Sequence, residues 1–185
     1  MNRIMNFSRD MILVLASPEE AFRNVRERGL EGQGLYLYVF LSAFLGYMMG
    51  GVVSAATGAS IAIPVLFAVA LLIVSFIKLV IWALISHVIA SKVFSGRGTF
   101  AGTLKMMGFA AAPFVVGIFA FMTLILWGTI FTSTALLVVM YIWVLITGVA
   151  AVEAEHGIGY GRAFLSVFAI PATLITVLLM IMGVL

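Results

Sequence analysis

The segment IAIPVLFAVALLIVSFIKLVIWALISHVIASKVF (residues 61–94) decides the fold of this chain. Its only charged residues are Lys78 and Lys92, and the second of these lies near its end. A helix needs about 20 apolar residues to cross the hydrocarbon core of a bilayer, so this segment exceeds one perpendicular span. We therefore predict a transmembrane helix over residues 67–94, preceded by a short interfacial lead-in that contains Pro64.

Four further apolar stretches accompany this one, and together the five define the class of protein. Hydrophobic residues make up 64% of the chain and charged residues only 9%, which is too few to cover the surface of a soluble domain. The predicted fold class is all-α: a polytopic membrane protein with five transmembrane helices. The predicted spans are residues 35–55, 67–94, 99–127, 134–152 and 162–185. Pro113 should kink the third of them.

The positions of lysine and arginine predict the orientation. Nine of the ten lie in the N-terminal segment, in the connection between the second and third spans, or in that between the fourth and fifth. The other two connections contain none, and the tenth residue, Lys78, is inside a span. Cytoplasmic loops are enriched in Lys and Arg, so we predict a cytoplasmic N-terminus and a C-terminus outside.

The residues before the first span predict a separate element. Residues 1–31 contain five arginines and five acids among apolar residues at helical spacing. Pro18 and Glu19 are typical of the first turn of a helix, and Phe22 and Val25 share one face of it. We interpret this part as amphipathic helices on the membrane surface; the alternative is a partly frayed polar tail. The domains are then an amphipathic cytoplasmic or interfacial segment (1–33) and a membrane domain (34–185).

The first span carries a stripe of small residues that predicts close helix packing. Its members lie four apart in the chain: Ser42, Gly46, Gly50 and Ser54. Small residues let two helices approach closely in lipid, where no hydrophobic drive brings them together. We interpret the stripe as a packing surface.

Lys78 is the ionisable residue that stands in the middle of a predicted span. An intramembrane charge is costly and marks a candidate functional residue, and no Asp or Glu in any span can pair with it. The structural alternatives are that its ammonium group extends toward the outer interface, or that it lies over the ring of Trp82 one turn further on.

Two histidines and a glutamate are predicted to meet near the cytoplasmic boundary. His87 lies near the end of the second span, and Glu153 and His156 share a helical face at the end of the fourth. Glu155, about 200° from Glu153 around the helix, should point elsewhere. Imidazole and carboxylate are ligands that zinc and related divalent metals prefer, so His87, Glu153 and His156 form a candidate metal site. The alternatives are a hydrogen bond between a histidine and Glu153 without metal, or no contact.

Other chemistry finds no support in the sequence. GxSxG, P-loop and HExxH motifs are absent, and there is no nucleophile–base pattern or pair of intramembrane carboxylates. The absence of Cys excludes disulfide and thiolate chemistry. We assign no catalytic residue and no cofactor other than the candidate divalent metal, and we expect no nucleic-acid partner. Lys92, Arg97 and Lys105 lie in a connection without acids, which predicts contact with anionic lipid headgroups.

The segment HVIASKVFSGRGTFAGTLKMMGFAAAP (residues 87–113) resembles the Yip family of Rab-interacting (Ypt/Rab-interacting) membrane proteins. In that family a His near the end of the second span precedes a Gly-rich turn, a Thr-Phe helix start and a Gly-aromatic-Ala run that leads to Pro. Pro18, Phe22 and the run EAEHGI (residues 153–158) match the family as well. The resemblance implies five spans with a cytoplasmic N-terminus, and a link to membrane traffic, because eukaryotic members bind prenylated Rab GTPases.

The short segment before the first span is similar to that of the prokaryotic members of the family, which implies the plasma membrane of a prokaryote. Two functions remain open. One is a non-catalytic protein that organises partners or lipids at its cytoplasmic face, where the partners are membrane lipids, another membrane protein or a second copy of the chain. The other is a metal- or small-substrate-binding protein that uses the His/Glu cluster in transport or hydrolysis.

Overall fold

A computed structural model describes residues 2–58, 60 and 62–182 of the chain, and every regular element in these ranges is helical. The α-helices in order are α1 (Asn2–Ala16), α2 (Pro18–Glu27), α3 (Gln33–Thr57), α4 (Ala62–Val88), α5 (Phe100–Gly108), α6 (Phe114–Trp127), α7 (Ile130–His156), α8 (Tyr160–Phe164) and α9 (Ile170–Ile181). Between them stand two π-helical turns and one 3₁₀ turn: Ile89–Val93, Leu165–Ala169 and Phe109–Ala111.

Four helical segments are long and apolar enough to cross a membrane. They are Gln33–Thr57, Ala62–Val93, Phe100–Trp127 and Ile130–His156, and a shorter apolar helix, Tyr160–Thr176, follows them. This architecture confirms the prediction of an all-α polytopic membrane protein. Residues 183–185, the end of the fifth predicted span, lie outside the described residues. The orientation and the division of the chain at residue 33 stay predictions.

The two prolines of the second and third spans act differently. Pro64 lies in the first turn of α4, where its missing N–H removes no intrahelical hydrogen bond. The second span therefore belongs to one helical segment of 32 residues from Ala62, and the interfacial position of the residues before 67 stays a prediction. Pro113 does interrupt the third span, because α5 ends at Gly108 and a 3₁₀ turn precedes α6.

The small-residue stripe of α3 packs against α4. A Cβ atom on Gly46 would lie 2.6 Å from the carbonyl oxygen of Phe67, and one on Gly50 would lie 2.6 Å from the Cα of Pro64. The two helices are thus in backbone contact, as the stripe predicts. The stripe therefore packs against a helix of the same chain.

An indole hydrogen bond ties the last helix to the bundle. Val167 lies four residues before Pro171, so an α-helix would leave its carbonyl without a donor, since proline has no N–H. Trp82 Nε1 donates to Val167 O at 3.0 Å. Gly148 on α7 makes room for this ring, because a Cβ there would lie 2.8 Å from Cη2 of Trp82. One side chain of α4 therefore satisfies a backbone group that Pro171 orphans.

The N-terminal segment covers one end of the bundle. Ala21, Phe22 and Val25 of α2 are fully buried, and the ring of Phe22 meets that of Phe109 edge-on at a centroid distance of 6.2 Å. Arg28 forms an ion pair with Asp10 that joins α2 to α1. The amphipathic pattern of α2 is confirmed, but its apolar face is covered by the protein and not by lipid.

The predicted orientation is testable by cysteine labelling, because the chain contains no native Cys. Ser60 and Phe131 are exposed at one end of the bundle, and Arg97 and Tyr160 at the other. We expect Ser60→Cys and Phe131→Cys to react with an impermeant maleimide on intact cells, and Arg97→Cys and Tyr160→Cys to react only after permeabilisation. Labelling of Arg97→Cys on intact cells would contradict the orientation.

The indole bond predicts a stability effect that depends on Pro171. Trp82→Phe leaves Val167 O unpaired in apolar surroundings, which should lower the free energy of unfolding by about 1–3 kcal/mol. Thermal denaturation in detergent measures this, with Trp143→Phe as the control. In a Pro171→Ala background the new N–H can donate to Val167 O. Trp82→Phe should therefore lower the free energy of unfolding by less in that background. Equal losses of unfolding free energy in both backgrounds would refute a link between Pro171 and the Trp82 hydrogen bond.

Candidate functional site

The end of the bundle that α2 covers gathers the connection after α4 and the end of α7; we call it the charged end. Arg97 N donates to His156 O at 3.3 Å across this junction. Cβ atoms on Gly96 and Gly98 would lie 2.7 Å from His156 Nδ1 and from Glu155 Cγ. The connection therefore needs glycine at these two positions, because α7 leaves no space for a side chain.

Glu155 binds the first turn of α5. Its Oε1 accepts hydrogen bonds from Thr99 N at 2.8 Å and from Thr99 Oγ1 at 3.4 Å. Thr99 is itself the N-cap of α5, since Oγ1 accepts from Gly102 N at 3.0 Å. The carboxylate thus lies at the positive end of the α5 dipole, where a negative charge is stabilised by about 0.3–1 kcal/mol. Glu155 is 9% exposed, so the carboxylate side of this contact is shielded from water, whereas Thr99 is exposed.

His156, His87 and Thr103 form a hydrogen-bonded chain behind that contact. Thr103 Oγ1 donates its one hydrogen to Thr99 O at 2.8 Å, so it accepts from His156 Nε2 at 2.9 Å. We therefore assign the Nε2–H tautomer to His156. Nδ1 of His87 lies 3.4 Å from the same nitrogen and is then an acceptor.

The other side of His156 lacks a partner. The residue is 3% exposed, and its Nδ1 is buried without a hydrogen-bond partner. The Cβ that Gly96 lacks would stand at that nitrogen. The imidazole is therefore held by Thr103 and by close backbone packing.

Arg26 links α2 to the same end of α7. Its Nη1 donates to the carbonyl oxygens of Ala154 and, at 3.4 Å, of Glu155. These carbonyls belong to the last turn of α7, where an intrahelical donor is missing. A cation there also complements the negative end of the helix dipole. Arg26 thus joins the N-terminal segment to the polar cluster.

The structure brings together only part of the predicted metal set. His87 and His156 are adjacent, whereas Glu153 lines a groove against α2 with Glu19 and Arg23. Glu155 has a different neighbour from Glu153, because its carboxylate accepts from the backbone N–H of Thr99. Among the described residues, no three His, Asp or Glu side chains are close enough to hold a metal ion. The metal site at His87, Glu153 and His156 stays a prediction.

The other predicted residues lie apart from this cluster. Lys92, Arg97 and Lys105 are exposed at the charged end, and Lys78 is exposed within the span of α4. Sequence reasoning did not find Thr99 as a partner of Glu155, or Arg26 and Thr103 as partners of α7 and His156. Glycines at 96, 98 and 102 were the available signal, because repeated glycine around a helix start indicates close backbone approach.

The apolar helices and the polar cluster at one end define a multi-pass integral membrane protein. A family model, the Yip1 domain, matches residues 12–182 of the chain. The chain therefore belongs to the Yip1 family, as the motifs around His87 and Pro113 predict. Neither the curated proteins nor the solved structures contain a match to it.

The geometry predicts unequal roles for the two glutamates. Glu155→Ala removes the charged acceptor of the Thr99 N–H, so the free energy of unfolding should fall by about 1–3 kcal/mol. Glu153→Ala, two residues away on the groove side, is the matched control and should change stability by less than about 0.5 kcal/mol. Thermal unfolding in detergent measures both. Equal losses in the two variants would contradict the assigned contact.

Proposed function

We propose that this Yip1-family protein is a non-catalytic integral membrane protein that organises lipids, and through them partner proteins, at its cytoplasmic face. One observation carries the proposal. At the charged end, Asp10, Glu155 and His156 have partners within the chain, whereas three basic side chains are exposed without an acidic partner among the described residues.

The internal contacts favour a structural role for the polar cluster. The Glu155 carboxylate caps α5, the His156 imidazole donates to Thr103, and Arg26 caps α7. A substrate would have to displace these partners at Glu155 and at Nε2 of His156, whereas Nδ1 of His156 is buried without one. Such a network makes the charged end a rigid support, which suits recognition of another surface better than chemistry.

The basic residues supply the recognition. Lys92, Arg97 and Lys105 carry three positive charges without a neighbouring acid in their connection. Anionic headgroups attract each basic residue near the surface by about 1 kcal/mol. We assign this face to the cytoplasmic leaflet, following the distribution of Lys and Arg along the chain.

Membership of the Yip1 family supports a role in arranging membranes, since the family is linked to membrane trafficking. In our proposal the partners are anionic lipids first, and then another membrane protein or a second copy of the chain. In our proposal the protein lies in the plasma membrane of a prokaryote. No catalytic step is assigned.

Metal binding is the second candidate function, and one distance favours it. The 3.4 Å between His87 Nδ1 and His156 Nε2 matches two ligands of a tetrahedral ion with bonds of about 2.0–2.1 Å. Binding there would displace the Nε2 proton of His156 and break its bond to Thr103. Elemental analysis of protein purified without added metal tests this. One divalent ion per chain that is lost in His87→Ala would support a metal centre in place of the hydrogen-bonded cluster.

The lipid proposal predicts a charge-dependent loss of acidic lipids. Arg97→Gln with Lys105→Gln removes about 2 kcal/mol of headgroup attraction, which is a factor of ~30 in lipid partition. Quantitative lipid analysis after purification in mild detergent should show depletion of anionic but not zwitterionic lipids. The matched control, Arg97→Lys with Lys105→Arg, keeps the charge and should keep the lipids. Unchanged anionic lipid in the Gln variant would refute the proposal.

A further inference from the structure

A second surface feature lies in the membrane-spanning part, away from the charged end. α4, α7 and α9 border an open groove of about 580 Å³, whose lining includes Lys78, Trp82, Tyr141, Val144, Pro171 and Ile175. Its walls are almost entirely hydrocarbon and aromatic rings. The volume falls within the range of about 300–1,000 Å³ that single small molecules occupy in proteins.

Lys78 places a cation in this groove without an acid in reach. All seven Asp and Glu residues lie within residues 10–31 and 153–155, at the charged end. About 21 Å of helix separate Lys78 from Lys92, which belongs to that end. A second copy in the same orientation would bring no carboxylate to this depth either. A counter-charge for the Lys78 ammonium would therefore come from another molecule.

A membrane phospholipid does not meet this need. Lys78 stands near the middle of the helical segment Ala62–Val93, and therefore about 15 Å from either edge of a 30 Å hydrocarbon core. Phosphate groups lie outside those edges. The groove also has the size of one small ligand and lacks the space for two acyl chains with a headgroup.

The residues that line the groove indicate which kind of molecule fits it. A long apolar body would lie along residues 74–85 of α4, which span about 16 Å. One anionic oxygen would accept from the Lys78 ammonium, and the Tyr141 hydroxyl is a second donor in the lining. The Trp82 indole N–H is already donated to Val167, so Trp82 supplies only its ring face.

We propose that this groove binds one single-chain lipophilic acid, a long-chain fatty acid, with its carboxylate paired to Lys78. Pairing removes the cost of an isolated charge in hydrocarbon, and the apolar walls bury the chain. Side chains on a helix lean toward its N-terminus, so the ammonium leans toward the start of α4. In the predicted orientation that is the outer side, from which the acid would enter.

Native mass spectrometry of the full chain, delipidated in a non-ionic detergent, tests this with oleic acid and oleyl alcohol as probes. We expect one oleic acid per chain and at least tenfold weaker binding of the alcohol, which has a similar chain but no charge. Lys78→Met should weaken oleic acid binding at least tenfold. Leu84→Met, an exposed position on the same helix but outside the groove, is the control and should bind like the parent.

Fluorescence gives an independent readout. The chain has three tryptophans, so Trp127→Phe with Trp143→Phe leaves Trp82 as the only one. A brominated fatty acid should quench Trp82 saturably, and Lys78→Met should abolish the saturable part. Oleic acid binding that is unchanged in Lys78→Met, matched by the alcohol, or equally weakened by Leu84→Met would overturn the proposal. If Lys78→Met fails to fold, the comparison of acid with alcohol on the parent protein still decides.

Discussion

Backbone groups that lie in hydrocarbon must find their hydrogen-bond partners within the protein, and this requirement shapes the chain at each place where a helix is interrupted. Pro171 cannot donate to Val167 O, and Trp82 does. The last turn of α7 leaves carbonyls open, and Arg26 supplies donors to two of them. The same requirement explains why side chains from distant parts of the chain converge on helix ends.

At the charged end a carboxylate accepts from a backbone N–H at a helix start, whereas in the membrane-spanning part no acid takes part in such contacts. Glu155 reaches Thr99 N and Oγ1 because α5 begins beside the end of α7. That proximity depends on Gly96 and Gly98, which let the connection lie directly against α7. Polar contacts therefore fix the relation of α5 to α7, whereas small residues fix that of α3 to α4. A hydrogen bond constrains the relative orientation of two helices, whereas small residues set how closely the two helices approach.

Much of the fold followed from local sequence features. The spans are long apolar runs, Thr99 has the residue type of an N-cap, and Pro113 cannot continue a helix, so each could be predicted without tertiary information. Glu155 could not be, because the choice between it and Glu153 depends on which neighbour lies beside the last turn of α7. The bond from Trp82 to Val167 also escaped prediction, since it joins residues 85 positions apart.

Glu155 and Lys78 differ in whether the fold explains their presence. A buried carboxylate with two hydrogen bonds from Thr99 is explained by the fold that it stabilises. Lys78 stabilises nothing comparable among the described residues, and its charge is costly at the depth where it stands. In our proposal its presence is explained by a molecule outside the fold. A groove with apolar walls and a single cation then limits the chemistry of that molecule to a long hydrocarbon body with one negative charge.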